Sequence, residues 1–213
     1  MHSSLFTSIH ILPAACFDEG ASVTLDKVWR DDALFKRLQS WLPADHWKRE
    51  SWKLQKRFNN DGLLLFEDHD SSFQNQYIQF YESGIIEAVD GLVAHAALTS
   101  RLISGTSFEK GILDILAPLL DSLKTMDAAA PVAICVSLRL PESTAVFYGN
   151  DKLIDQKTKE AHSLSTPKEQ WPLVTLPLTI LHDYGEELAV VMKLCFNRLA
   201  RAAGYPGSPR YSK

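Results

Sequence analysis

Apolar and polar positions alternate with period two along several short stretches of the chain, and with helical spacing along three longer ones. Leu5 to Leu12 is apolar and β-compatible and stops at Pro13, which predicts a first strand. From Thr24 to Leu42 the spacing turns helical, with Leu25, Val28 and Trp29 on one face and Thr24 as N-cap. Phe35 and Leu38 fall out of phase with that face, which predicts two short helices ended by Pro43. Trp52, Leu54 and Phe58 share one parity, and Leu63 to Phe66 follow after Asn59-Asn60-Asp61-Gly62. Those four residues tolerate the positive φ of a tight reversal, so the unit reads as a hairpin. A second hairpin is expected at Tyr77–Tyr81 and Ile85–Val89, reversed through Glu82-Ser83-Gly84. Two hairpins in series imply a largely antiparallel sheet.

Thr106 and Glu109 have the spacing of a capping box, and Phe108, Ile112, Ile115, Leu116, Leu119, Leu123 and Met126 continue the stripe. Pro118 removes a hydrogen bond inside it and predicts a kink or two abutting helices. Pro131–Leu140 reads as a buried strand, with Thr144–Tyr148 as its hairpin arm. Residues 151–170 are polar and lysine-rich, the pattern of an exposed loop. Leu173–Leu181 is a further strand, placed at an edge or bulge by Pro177. A last helix is expected over Glu186–Ala203, with Leu188, Val191, Met192, Cys195 and Leu199 inward and Gly204 closing it. No internal repeat or linker interrupts these elements. They predict a single α+β domain over residues 1–213, a mostly antiparallel or mixed sheet with packed helices.

The composition narrows the functional classes. The net charge is −4, far from the basic balance of a protein that coats DNA. Cys16, Cys135 and Cys195 are widely spaced, which argues against a disulfide framework or a zinc ribbon. No apolar run approaches the roughly 20 residues of a membrane span, and the start lacks the features of a signal peptide. A cytoplasmic chain without membrane association is the expectation.

The segment Tyr77-Ile78-Gln79-Phe80-Tyr81-Glu82-Ser83-Gly84-Ile85-Ile86-Glu87 resembles a stretch in bacterial proteins that carry a Schlafen-type AlbA-like domain. The order that follows is also similar: a helix over Phe108–Met126, the Pro131 strand, Leu176-Pro177, a terminal helix, and the close Ala202-Ala203-Gly204-Tyr205 with Ser208-Pro209. The resemblance covers about two-thirds of the chain and is to the accessory region beyond the AlbA-like domain, whose acidic motif is not found here. It implies a setting among ATP- or nucleic-acid-binding regulators, some with defence roles. It carries over no functional residue.

Candidate chemistry is sparse. Between His46 and Phe58 five basic residues interleave with Trp47, Trp52 and Phe58. Lysine and arginine neutralise phosphates and aromatic faces stack on unpaired bases, which makes Lys48, Arg49, Trp52, Lys53 and Arg57 candidate nucleic-acid contacts. On a strand, Lys53, Gln55 and Arg57 point one way and Trp52, Leu54 and Phe58 the other, which is equally the pattern of an ordinary half-buried strand. Glu67-Asp68-His69-Asp70 offers metal-ligating groups, but neighbours on extended chain diverge to opposite faces, so a solvated turn is the simpler reading. His182-Asp183 lacks a nucleophile in a catalytic context, and Asp183 is expected as a cap. Cys135 and Cys195 read as small core residues, and Cys16 is the one thiol worth testing for reactivity. No phosphate loop, HExxH or EF-hand pattern is present. The expected function is a non-catalytic interaction or ligand-sensing module, with no cofactor and no metal. Its partner would be another protein, a neighbouring domain or a second copy. A weakly nucleic-acid-binding module and a hydrolase whose site forms only in the fold are the alternatives.

Overall fold

The computed structural model describes residues 6–40, 54–67, 76–90, 98–99, 102–139, 145–148, 162–163 and 173–211. It is α+β. The strands are β1 (Phe6–Pro13), β2 (Leu54–Asn59), β3 (Gly62–Glu67), β4 (Gln76–Tyr81), β5 (Ile86–Asp90), β6 (Leu98–Thr99), β7 (Leu102–Ser104), β8 (Val132–Arg139), β9 (Ala145–Phe147), β10 (His162–Ser163), β11 (Leu173–Thr175) and β12 (Thr179–Leu181). The helices are α1 (Leu25–Arg30), α2 (Asp32–Ser40), α3 (Gly105–Thr125), α4 (Leu188–Val191) and α5 (Lys193–Ala202).

The main sheet runs β11-β8-β1-β5-β4-β3-β2, with β12 also on β8, and all its pairings are antiparallel. Both expected hairpins form: Asn59 pairs with Gly62 across a two-residue turn, and Gly84 adopts φ +88° in the second reversal. Period-two alternation puts Ile9, Ile11, Leu63, Leu65, Ile78, Phe80, Ile86 and the even positions of β8 on one face. That face meets Phe108, Ile112, Leu116 and Leu119 of α3, with Leu25 and Val28 of α1, in one core. Apolar burial of this kind contributes roughly 25 cal/mol per Å² of apolar area.

Several local readings need correction. Thr24 occupies the N-cap of α1 but makes no side-chain capping bond. Asp31 caps instead, its carboxylate accepting from the Leu34 N–H at 2.8 Å at the start of α2. Thr106 does not cap α3. The helix begins one residue earlier at Gly105, and the Ser104 hydroxyl accepts from the Ser107 N–H. Pro118 lies within one uninterrupted helix rather than between two. The Ala145–Phe147 strand does not pair with β8; it lies parallel to β7 in a second sheet, ordered β10-β9-β7-β6. The Leu173–Leu181 strand divides at Leu176–Leu178 into β11 and β12, both on β8, as a proline at a sheet edge requires.

The terminal helix forms as two segments meeting at Met192, whose backbone stays close to helical. Gly204 closes it at φ +84°, with its N–H on Arg201 and the Tyr205 N–H on Ala200, the paired bonds of a Schellman end. Lys56 ties the β2 edge to the first helices. Its ammonium lies 4.9 Å from the ring centres of both Trp29 and Phe35 and donates to the Trp29 carbonyl. Lys56→Met keeps the stem but removes the cation, so a loss of about 1 kcal/mol is expected in chemical denaturation. An unchanged midpoint would show that the ring contacts contribute nothing.

Candidate functional site

The face of the main sheet turned away from α1 and α3 carries a row of side chains brought together from six strands. Cys135, His10, Glu87, Gln79, Leu64 and Arg57 stand opposite one another in successive pairings. Each owes its place to the alternation that sends its strand neighbours into the core. Glu87 is the centre. The Tyr77 hydroxyl donates to its Oε1 and the Tyr81 hydroxyl to its Oε2, both at 2.8 Å. His10 Nε2 lies 3.7 Å from Oε1, and His10 Nδ1 is 3.4 Å from the Ser8 hydroxyl. Gln79 is buried; its Oε1 accepts from Asn59 at 2.8 Å, and its Nε2 donates to the Phe80 carbonyl. Burial, and then the Glu87 hydrogen bond, push the Tyr81 phenol up to about 12, and the same causes raise Tyr77. Both phenols therefore stay protonated donors at neutral pH.

This arrangement can present hydrogen-bonding and aromatic groups; it does not activate a nucleophile. Burial raises the Cys135 thiol, which disfavours its thiolate. Cys135 is not a core residue as expected: it is half-buried on the face turned away from α3, because its odd position in β8 points away from Ile134 and Val136. Leu64, Phe66 and Val89 lie on the same face and are likewise half-buried.

A second cluster joins distant parts of the chain. Glu109 of α3 is fully buried. Its Oε1 accepts from the Tyr148 hydroxyl and its Oε2 from the Ser208 hydroxyl, each at 2.8 Å, while Arg210 Nε lies 3.6 Å away. Gly105 makes the first bond attainable, since a Cβ there would come within 2.3 Å of the Tyr148 ring. The tail is held further by the Ser208 N–H on Asn197 and by Tyr211, whose hydroxyl donates to the Ala189 carbonyl. Burial pushes the neighbouring Cys195 thiol up to about 12. The cluster thus locks the tail onto α3 and α5 and holds no reactive thiol.

Most of the candidates named from the sequence lie outside the described residues. Lys48, Arg49, Trp52 and Lys53 lie outside the described residues, as do Asp68-His69-Asp70 and all of 151–170 except His162–Ser163. Arg57 is exposed on β2 with its guanidinium 4.7 Å over the Phe66 ring. Cys16 sits in a 3-10 turn over Ala14–Phe17, where burial raises rather than lowers its thiol. The His182-Asp183 pair forms no catalytic dyad. Both backbone N–H groups donate to Glu186, and the Asp183 carboxylate accepts from the Gly185 N–H, so it stabilises the turn before α4 rather than capping the helix. Among the described residues, no three His, Cys, Asp or Glu side chains converge as metal ligands, and no helix is long and apolar enough to cross a membrane. No family model matches the chain, and comparison with curated proteins and with solved structures finds no match either.

Proposed function

We propose that this chain is a non-catalytic interaction module of a larger intracellular regulator, and that it engages another protein or a neighbouring domain through the face of the main sheet turned away from α1 and α3. One observation carries the reading. That face sets half-buried Leu64, Phe66 and Val89 around Glu87, which accepts from the Tyr77 and Tyr81 hydroxyls and lies 3.7 Å from His10 Nε2. An antiparallel sheet that merely faces water carries mainly charged and polar groups there, whereas aromatic residues with pinned hydroxyls favour a protein interface. The resemblance to the accessory region of AlbA-like proteins supports the same reading.

The runner-up is a single-stranded nucleic-acid platform, favoured by Arg57 beside Phe66 and by the Phe66–Tyr77 pairing. A photoreactive benzoyl-phenylalanine placed at Leu64 or Val89 in cells separates these readings, with exposed Lys110 on α3 as control position. The expected result is a discrete protein adduct from the sheet positions and none from the control. Adducts to nucleic acid would promote the runner-up. Products of monomer mass alone would overturn the interface.

A further inference from the structure

We propose that residues 204–211, which follow α5, form a strap that opens as a unit from a core that stays folded, and that protonation of Glu109 operates it. The proposal is independent of the sheet-face reading, because none of its residues lies on that face.

The way the strap is held makes it separable. Of its eight residues only Ser208 is buried, and Ser208 is polar. The rest of its hold is directional. The Ser208 N–H donates to Asn197 Oδ1 at 2.9 Å, Arg201 Nε to the Pro206 carbonyl at 3.3 Å, and the Tyr211 hydroxyl to the Ala189 carbonyl. The Tyr211 ring stacks on Phe196, and the Tyr205 ring meets Tyr148 edge-on. A segment with little buried apolar surface belongs to the low end of local stability. Gly204 supplies the hinge, since its φ of +84° carries no Cβ penalty in glycine. On the near side of that hinge, Cys195, Phe196, Leu199 and Ala200 anchor α5 in the core.

Glu109 is the catch. From the strap, the Ser208 hydroxyl donates to its Oε2 at 2.8 Å and Arg210 Nε lies 3.6 Å away. From the other elements, the Tyr148 hydroxyl donates to Oε1, Cys195 of α5 lies beside the carboxyl, and Tyr211 stands further out. Burial pushes the Cys195 thiol and the Tyr211 phenol up to about 12 and raises Tyr148 as well. At neutral pH Arg210 is therefore the one charge among these groups.

With the strap closed, the carboxyl is sealed from water. With it open, water enters from the side that Ser208 and Arg210 vacate, and hydration favours the charged form. Ser208, Tyr148 and Arg210 stabilise that charge in the closed state, but burial outweighs them and holds the closed carboxyl above its ordinary value. Closing the strap thus takes up a proton. The closed state is favoured at low pH, and opening gains as pH rises through the closed-state value.

Amide hydrogen exchange of the full chain, read residue by residue by NMR and corrected for the intrinsic pH dependence of exchange, tests this. The reporters are the Ser208 and Tyr211 amides, which donate to Asn197 Oδ1 and to the Ser208 carbonyl. They should be at least about tenfold less protected than the amides in the middle of α3. Their protection should fall about threefold or more from about pH 4 to pH 8. Glu109→Gln holds the neutral form throughout and should keep the strap protected with no such fall. Arg210→Gln, a change at an exposed side chain, should steepen the fall and leave α3 unchanged, which decides the matter even if Glu109→Gln does not fold. Strap amides that exchange only together with α3 overturn the separate strap. A flat native profile, the same fall in Glu109→Gln, or a native profile in Arg210→Gln overturns the role of Glu109.

Discussion

Leu199→Asp should leave no folded protein. Leu199 is fully excluded from solvent on α5, beside Cys195, Phe196 and Ala200 in the same core as α3 and the main sheet. The substitution removes a packed isobutyl group and puts a carboxylate among fully buried apolar side chains. A buried side chain lost from a core costs about 2–5 kcal/mol, and an unpaired buried charge adds more, up to neutralisation of the group. Domains of this kind are stable by only about 5–15 kcal/mol. The expected observation is insoluble expression, or a soluble chain without a cooperative thermal transition. Leu199→Met conserves volume and should cost less than about 1.5 kcal/mol. A near-native melting temperature for the aspartate variant would place the terminal helix outside the cooperative core.

Glu109→Ala should destabilise by roughly 2–5 kcal/mol, because two hydroxyls lose their acceptor in a site closed to water. Glu109→Gln retains one acceptor oxygen and should cost less. Tyr148→Phe removes a donor together with its need for a partner, so the loss from Glu109→Ala should be smaller in a Tyr148→Phe background; a coupling of about 0.5–3 kcal/mol is the range for groups in one network. Additive losses would show that the Tyr148 bond contributes nothing.

The same residue sets a pH dependence. Burial raises the Glu109 carboxyl above its ordinary value, and the hydrogen bonds from Ser208 and Tyr148 and the Arg210 charge oppose this without cancelling it. A raised acid holds its proton longer in the folded chain than in the unfolded one. Its contribution to stability is thus fully present below the ordinary glutamate value, about 4.3, and is lost as pH rises through the folded value. Urea melts across that window should show stability falling with pH in the native protein by more than in Glu109→Gln. An equal slope in the two would assign the pH dependence elsewhere.

The row of side chains on the proposed sheet face is not displayed along the chain. Its six residues are scattered from His10 to Cys135, and only strand order and register place them side by side.

The same division runs through the fold. Period-two and helical apolar spacing determined β1, both hairpins, β8, α3 and the terminal helix, since those periods state which side of an element is shielded from water. The positive-φ residues at the turns determined where the chain reverses, and Gly204 determined where the last helix ends. What only the tertiary structure decided was pairing and local competition. Ala145–Phe147 went to β7 rather than to β8, because β8 was already flanked by β1 on one side and by β11 and β12 on the other. Glu109 had the spacing of a capping partner, yet it lies inside the apolar stripe between Phe108 and Ile112, and a glutamate in that position was the one local sign of its role. Burial drew it to hydroxyls 39 and 99 residues away. A short-range pattern cannot encode such contacts, because the free energy that selects them comes from excluding water around groups that meet only once the chain has folded.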